Sequence, residues 1–163
     1  MKIITLGLVS AFALVGCAVD DQLETSQTEQ QSAASGVTPT LLARGTYGEF
    51  KVKTNGLVPI EITTKADIDV VVRRHTYQPG GNTGWHTHPG PVLITVTSGA
   101  IEFVEAHDCS TKIVTAGQGY VDTGEGHYAR NVSATTPAED MTVIYAPVGT
   151  PFRGELPAGT CGL

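Results

Sequence analysis

The sequence predicts an all-β protein, and three observations predict it. From residue 49 onward, short runs of β-branched and aromatic residues are separated by clusters of Gly, Pro, Asn and Asp. No part of that stretch carries apolar residues at helical spacing. The runs are also many, short and regularly spaced, which favours a closed barrel or sandwich over an open sheet.

The runs can be placed in order. Strands are expected over 49–54 and 57–63, divided by Asn55-Gly56, and over 68–78, which closes on Pro79-Gly80-Gly81-Asn82. Side chains alternate faces along a strand, so over 92–97 Val92, Ile94 and Val96 share one side and Leu93, Thr95 and Thr97 the other. The aliphatic set is the core face. After the Ser98-Gly99 turn, the strand 100–105 turns Ile101 and Phe103 inward and Glu102 and Glu105 outward, with Val104 an exception. Strands follow over 111–114, 119–122, 127–131 and 141–146, with Gly124-Glu125-Gly126 as the turn before His127.

The first residues read as an address. Lys2 is followed by an apolar run from Ile3 to Val15, too short to span a bilayer, for which about 20 apolar residues are needed. The run closes on Leu14-Val15-Gly16-Cys17, which resembles the bacterial lipobox. That resemblance implies a leader over 1–16, lipidation of Cys17 and a bacterial protein held outside the cytoplasm. The alternative is a secretory signal cut near Ala18, with Cys17 discarded. Acyl chains contribute about 0.8 kcal/mol per buried methylene, so several on one cysteine hold a protein to a membrane. Residues 17–40 are rich in Gln, Ser, Thr and Ala and are expected to be a flexible tether, leaving 41–163 as the folded part.

Roughly 120 residues make one domain with a modest core. The formal charge of -6 and the lack of a basic cluster beyond Arg73-Arg74 argue against nucleic acid as a partner. Besides Cys17, the cysteines are Cys109 and Cys161. In an oxidising compartment a disulfide between them is the natural reading, and two free thiols are the alternative.

Three of the five histidines are informatively placed. In an extended segment His86 and His88 point to one side while Thr87 points away, which is chelating spacing. His127 opens a strand after a turn whose glycines, Gly124 and Gly126, allow close backbone approach. The stretch Gly80-Gly81-Asn82-Thr83-Gly84-Trp85-His86-Thr87-His88-Pro89-Gly90-Pro91-Val92, running on to Gly99, resembles the first cupin motif. Gly119-Tyr120-Val121-Asp122-Thr123-Gly124-Glu125-Gly126-His127-Tyr128-Ala129-Arg130-Asn131 resembles the second. The chain departs from the pattern twice: Asp122 stands for a turn proline, and the usual glutamate ligand falls on Val92.

The resemblance implies a single-domain cupin, a double-stranded β-helix or jelly-roll barrel. It also implies a site in which His86, His88 and His127 hold a divalent transition metal such as Fe, Zn, Cu or Ni. The alternative is a barrel that keeps these histidines without an ion. Val92 and Tyr145 are the pocket candidates, although aromatic residues such as Tyr77, Trp85, Tyr128 and Tyr145 in a small all-β core more often pack than recognise a ligand. His75 is read as packed or solvated, Asn131 as fixing local backbone, and no carboxylate is expected on the inward face near the motifs. Two functions fit: a dioxygenase-type enzyme on a small chelating or anionic substrate, or a tethered module that binds a small ligand or metal without turnover. Nothing in the sequence fixes a dimer.

Overall fold

A computed structural model describes residues 33–158 and 160–163. The leader, Cys17 and most of the expected tether lie outside the described residues. Twelve strands and a terminal 3-10 turn make up the secondary structure within them. They are β1 (Ser35–Tyr47), β2 (Lys51–Thr54), β3 (Ile60–Thr63), β4 (Ile68–Asn82), β5 (His86–Thr87), β6 (Val92–Ser98), β7 (Ala100–Glu105), β8 (Thr111–Thr115), β9 (Gly119–Asp122), β10 (His127–Asn131), β11 (Ala138–Pro147) and β12 (Gly154–Glu155). Among the described residues no helix is long and apolar enough to cross a membrane.

The all-β expectation holds. One ten-stranded sheet runs β12-β5-β10-β4-β11-β6-β9 and curls into a nearly closed barrel. β1 adds to β4, and β7 joins β10 to β8. β2 and β3 form a separate exposed hairpin. The alternation read from the sequence places the core: Val92, Ile94, Val96, Ile101 and Phe103 are buried, with Val71, Val114 and Ile144 beside them. Each such aliphatic side chain contributes about 1.5–3 kcal/mol when removed from water. Leu93, on the opposite face of β6, is exposed.

The largest departure is β1. It begins at Ser35, within the stretch 17–40 expected to be a tether, and pairs with β4 from Ser35 opposite Asn82 to Tyr47 opposite Ile68. Pro39 and a polar composition obscured it, but an edge strand tolerates a proline because one of its sides makes no ladder bonds. β11 begins at Ala138, three residues before the expected 141–146, and this brings a further inward residue into the barrel. β12 folds back to pair with β5.

Candidate metal centre

The two motif histidines stand on the short strand β5 and just after it. His86 is opposite His127 in the β5–β10 pairing, so the backbone itself brings the third histidine to the first. The turn before β10 fits closely against this place. A Cβ on Gly124 would lie 2.7 Å from the His88 carbonyl oxygen, and the residue has a φ of +94°, so only glycine fits without strain. The His88 amide in turn donates to the Gly124 carbonyl at 3.2 Å. Asn131 does fix local backbone: its amide donates to the Gln78 and Thr136 carbonyls, and its oxygen accepts from the Ser133 amide.

Ring orientation decides what these histidines can do. His86 Nδ1 is 2.9 Å from the Gly84 carbonyl oxygen and His88 Nδ1 is 2.6 Å from that of Phe152. A carbonyl only accepts, so both Nδ1 atoms carry hydrogen and both Nε2 atoms keep a free lone pair. Potential ligand atoms of His86, His88 and His127 all lie within 4.8 Å of one another. Metal-binding imidazoles are commonly held in this way, one nitrogen fixed by an acceptor and the other on the ion. Burial, reinforced by the charges of His127, Arg153 and His88, holds the His86 imidazole far below its usual range. Burial likewise brings His88 down to about 4, against the pull of the Phe152 carbonyl. At neutral pH these two rings are therefore neutral ligands. The donor set fits a divalent transition ion.

Val92 lines the cavity, as expected, and its isopropyl group cannot coordinate an ion. Yet the site is not free of carboxylate, which corrects the expectation from sequence. Asp122, read as a turn substitute for proline, is buried at the end of β9, directly across from Val92 in the β6–β9 register. One of its oxygens accepts the Gly124 amide at 2.8 Å. The other lies 3.2 Å from His127 Nδ1 and 3.9 Å from His88 Nε2. The Asp122–His127 contact is misaligned, leaving both atoms without a hydrogen bond. Burial pushes the Asp122 carboxyl up, but His127, the Gly124 amide and His88 outweigh it, and the group sits below its ordinary range.

A second carboxylate, Asp140, faces inward from β11. It receives the Tyr77 hydroxyl at 2.8 Å and stands 2.8 Å from His75 Nδ1. His75 is thus a cavity residue rather than a packed or solvated one, and Tyr77 and Arg73, on the same face of β4, line the cavity with it. Tyr145 does not. It follows the inward Ile144, so alternation turns it outward, to a groove with Pro89, Leu93 and Pro147. The sequence signal for Asp140 was its two-residue phase with Thr142 and Ile144, hidden by the late start given to the strand.

The cavity has a volume of about 170 Å3. Its mouth is partly built by the C-terminal segment, which supplies the Phe152 carbonyl and Arg153. A disulfide between Cys109 and Cys161 ties that segment to the loop after β7.

Residues 73–145 match the family model described as a cupin domain, and both motifs lie inside that span. An uncharacterized conserved protein with a double-stranded β-helix domain from Klebsiella pneumoniae is 25% identical, over 53% of this chain and 73% of its own, with a TM-score of 0.45. A cupin-like protein from Thermotoga maritima is 20% identical, over 56% and 67%, with a TM-score of 0.48. An oxalate oxidase in complex with the substrate analogue glycolate is 22% identical, over 52% and 45%, at 0.45, so the chain spans less than half of that enzyme. A search of curated proteins finds no match.

Proposed function

We propose that this chain is a mononuclear metal enzyme in which His86, His88 and His127 hold a divalent transition ion, acting on a small anionic or chelating substrate. The observation that carries the reading is the pair of Nδ1 bonds to the Gly84 and Phe152 carbonyls, which leave both Nε2 lone pairs free beside His127. When bound, such an ion polarises a coordinated oxygen and supplies Lewis-acid or redox chemistry that side chains lack. The chain's own residues supply the rest. Asp140 holds His75 by Nδ1, so Nε2 of that ring is the atom free to take a proton from a substrate in the cavity. Tyr77, which donates to the other oxygen of Asp140, fixes that carboxylate's orientation. Val92, Ile94, Phe103 and Ile144 keep the floor apolar, and this strengthens each charge interaction inside.

The direct test is the metal content of the full chain against His88→Ala. About one equivalent of iron, zinc, copper or nickel, lost in the variant, is expected from three protein ligands. Equal content in both would sink the assignment. Dioxygen uptake by the iron-loaded protein with small thiols, diketones and flavonols then separates oxidative turnover from ligand capture alone.

A disulfide such as Cys109–Cys161 persists outside the reducing cytoplasm and supports an extracytoplasmic location. Anchoring through lipid on Cys17 belongs to this reading. Metabolic labelling with a fatty acid should mark the wild type and leave Cys17→Ser unlabelled; equal labelling would remove the anchor.

A further inference from the structure

Among the described residues, one cation in the cavity wall has no partner there. Arg73 points inward from β4, partly buried, and among the described residues no hydrogen-bond acceptor or carboxylate is paired with its guanidinium. Directly across the β4–β11 pairing stands Thr142. Its hydroxyl is buried, lines the same cavity and has no hydrogen-bond partner. Arg153 enters the cavity from the C-terminal segment, tethered through Nη2 to the Thr83 carbonyl at 2.6 Å and to Glu155. Its charge is felt by Arg73, and by His86 and His88 on the metal side.

A guanidinium that meets no acceptor and an orphaned hydroxyl facing one small space are costly unless something joins them, and Arg153, although paired with Glu155 through Nε and Nη2, adds its charge nearby. A buried guanidinium without a partner is disfavoured by desolvation, and a second guanidinium nearby adds repulsion. Burial first, then Arg153, works against the Arg73 charge. The nearby carboxylates do not relieve it: Asp140 is engaged by His75 and Tyr77, and Asp122 faces His127. What relieves it is an anion that also accepts from the Thr142 hydroxyl.

We propose that Arg73, Thr142 and Arg153 form a carboxylate-binding subsite, which seats one end of a small organic acid while its remaining oxygens face the three histidines. The planar guanidinium fork matches a carboxylate with two parallel bonds. Volume limits the rest of the molecule. A cavity of about 150 Å3 takes a benzene-sized ligand, so the 170 Å3 here admits an acid of roughly six to eight non-hydrogen atoms. The class is therefore a short carboxylic acid with a second oxygen donor. This deepens the reading of a metal enzyme and rests on it for the placement of the distal oxygens, but the Arg73 contact needs no ion.

That independence makes the test decisive. Malonate and its neutral diamide are titrated calorimetrically into the full chain, metal-free and zinc-loaded, with Arg73→Gln, Arg73→Lys and Thr142→Val alongside. The metal-free wild type should bind malonate and not the diamide. Arg73→Gln should weaken malonate at least tenfold, Arg73→Lys less, and Thr142→Val several-fold, with zinc stoichiometry unchanged and the ligand-free melting temperature no lower than the wild type's in all three. Malonate binding that is indifferent to Arg73, or equal to that of the diamide, would overturn the subsite. If no variant or wild type takes zinc while malonate still depends on Arg73, the metal reading falls and the subsite stands. Should Arg73→Gln fail to fold, the Thr142→Val result decides, since losing one hydroxyl at constant shape leaves the fold intact.

Discussion

At the scale of single residues, Asp122 carries the most information. It sits across the strand from Val92, the position of the missing glutamate, and within 3.9 Å of the free nitrogen of His88. Outer carboxylates that orient ligand histidines are commonly worth 10- to 100-fold in metal affinity. Asp122→Asn should weaken zinc by about that factor, measured by competition with a chelator; an unchanged affinity would make the residue purely a backbone clamp on Gly124. His88 gives a second prediction. The unfolded chain takes up its proton near 6.5 and the folded one only near 4, so between those values the unfolded state binds more protons. Stability of the metal-free protein is complete above 6.5 and falls as the pH drops toward 4, by on the order of 3 kcal/mol from this residue. Melting curves across that window should be less steep in His88→Gln than in the wild type, His86 keeping its own share of the slope, and parallel curves would refute the assignment. The histidines were legible because a two-residue spacing forces convergence on any strand. Asp140 was not, because its role depends on where β11 begins, and strand ends are set by partners the sequence does not display.

At the scale of elements, the strands with a clean alternation were readable and those defined by their partners were not. β6 and β7 kept the expected faces because apolar and polar residues largely alternate, with Leu93 on the outer face of β6 and the buried Val104 of β7 as the exceptions. β1 has no such pattern; it exists because the exposed edge of β4 needs ladder bonds, and its side chains stay mostly in water. β5 and β12, two residues each, are too short to carry any periodic signal. The turn before β10 was legible through its glycines, and it makes a sharp prediction. In Gly124→Ala the new Cβ would sit 2.7 Å from the His88 carbonyl oxygen, on a backbone whose φ of +94° L-residues avoid. The strain should cost about 1–3 kcal/mol. Because the displaced backbone is that of His88, zinc affinity should fall with stability. Glu125→Ala, in the same turn but exposed, should change neither. Thermal melts and chelator competition on both variants check this, and a stable Gly124→Ala with full affinity would show that the turn does not position the ligand.

At the scale of the whole molecule, the C-terminal segment completes a site whose candidate ligands lie well upstream, His88 being 64 residues before Phe152. The Phe152 carbonyl sets the His88 tautomer, Arg153 closes the cavity wall, and both depend on a segment whose far end is held by Cys161 to Cys109. The bond spans a separation of 52 residues, and on the chain-entropy model closing such a loop contributes roughly 4 kcal/mol. Cys109→Ser and Cys161→Ser should therefore lower the melting temperature equally, and the double variant should be no worse than either, because all three lose the same bond. A chain-entropy effect alone would stop there. If the disulfide also holds the tail over the site, the double variant, still folded at low temperature, should release zinc faster than the oxidised wild type. Off-rates measured well below the melting transition, where global unfolding does not contribute, separate the two roles. Equal off-rates would confine the bond to stability, and a faster release in the double variant would make the C-terminal segment a working part of the metal centre.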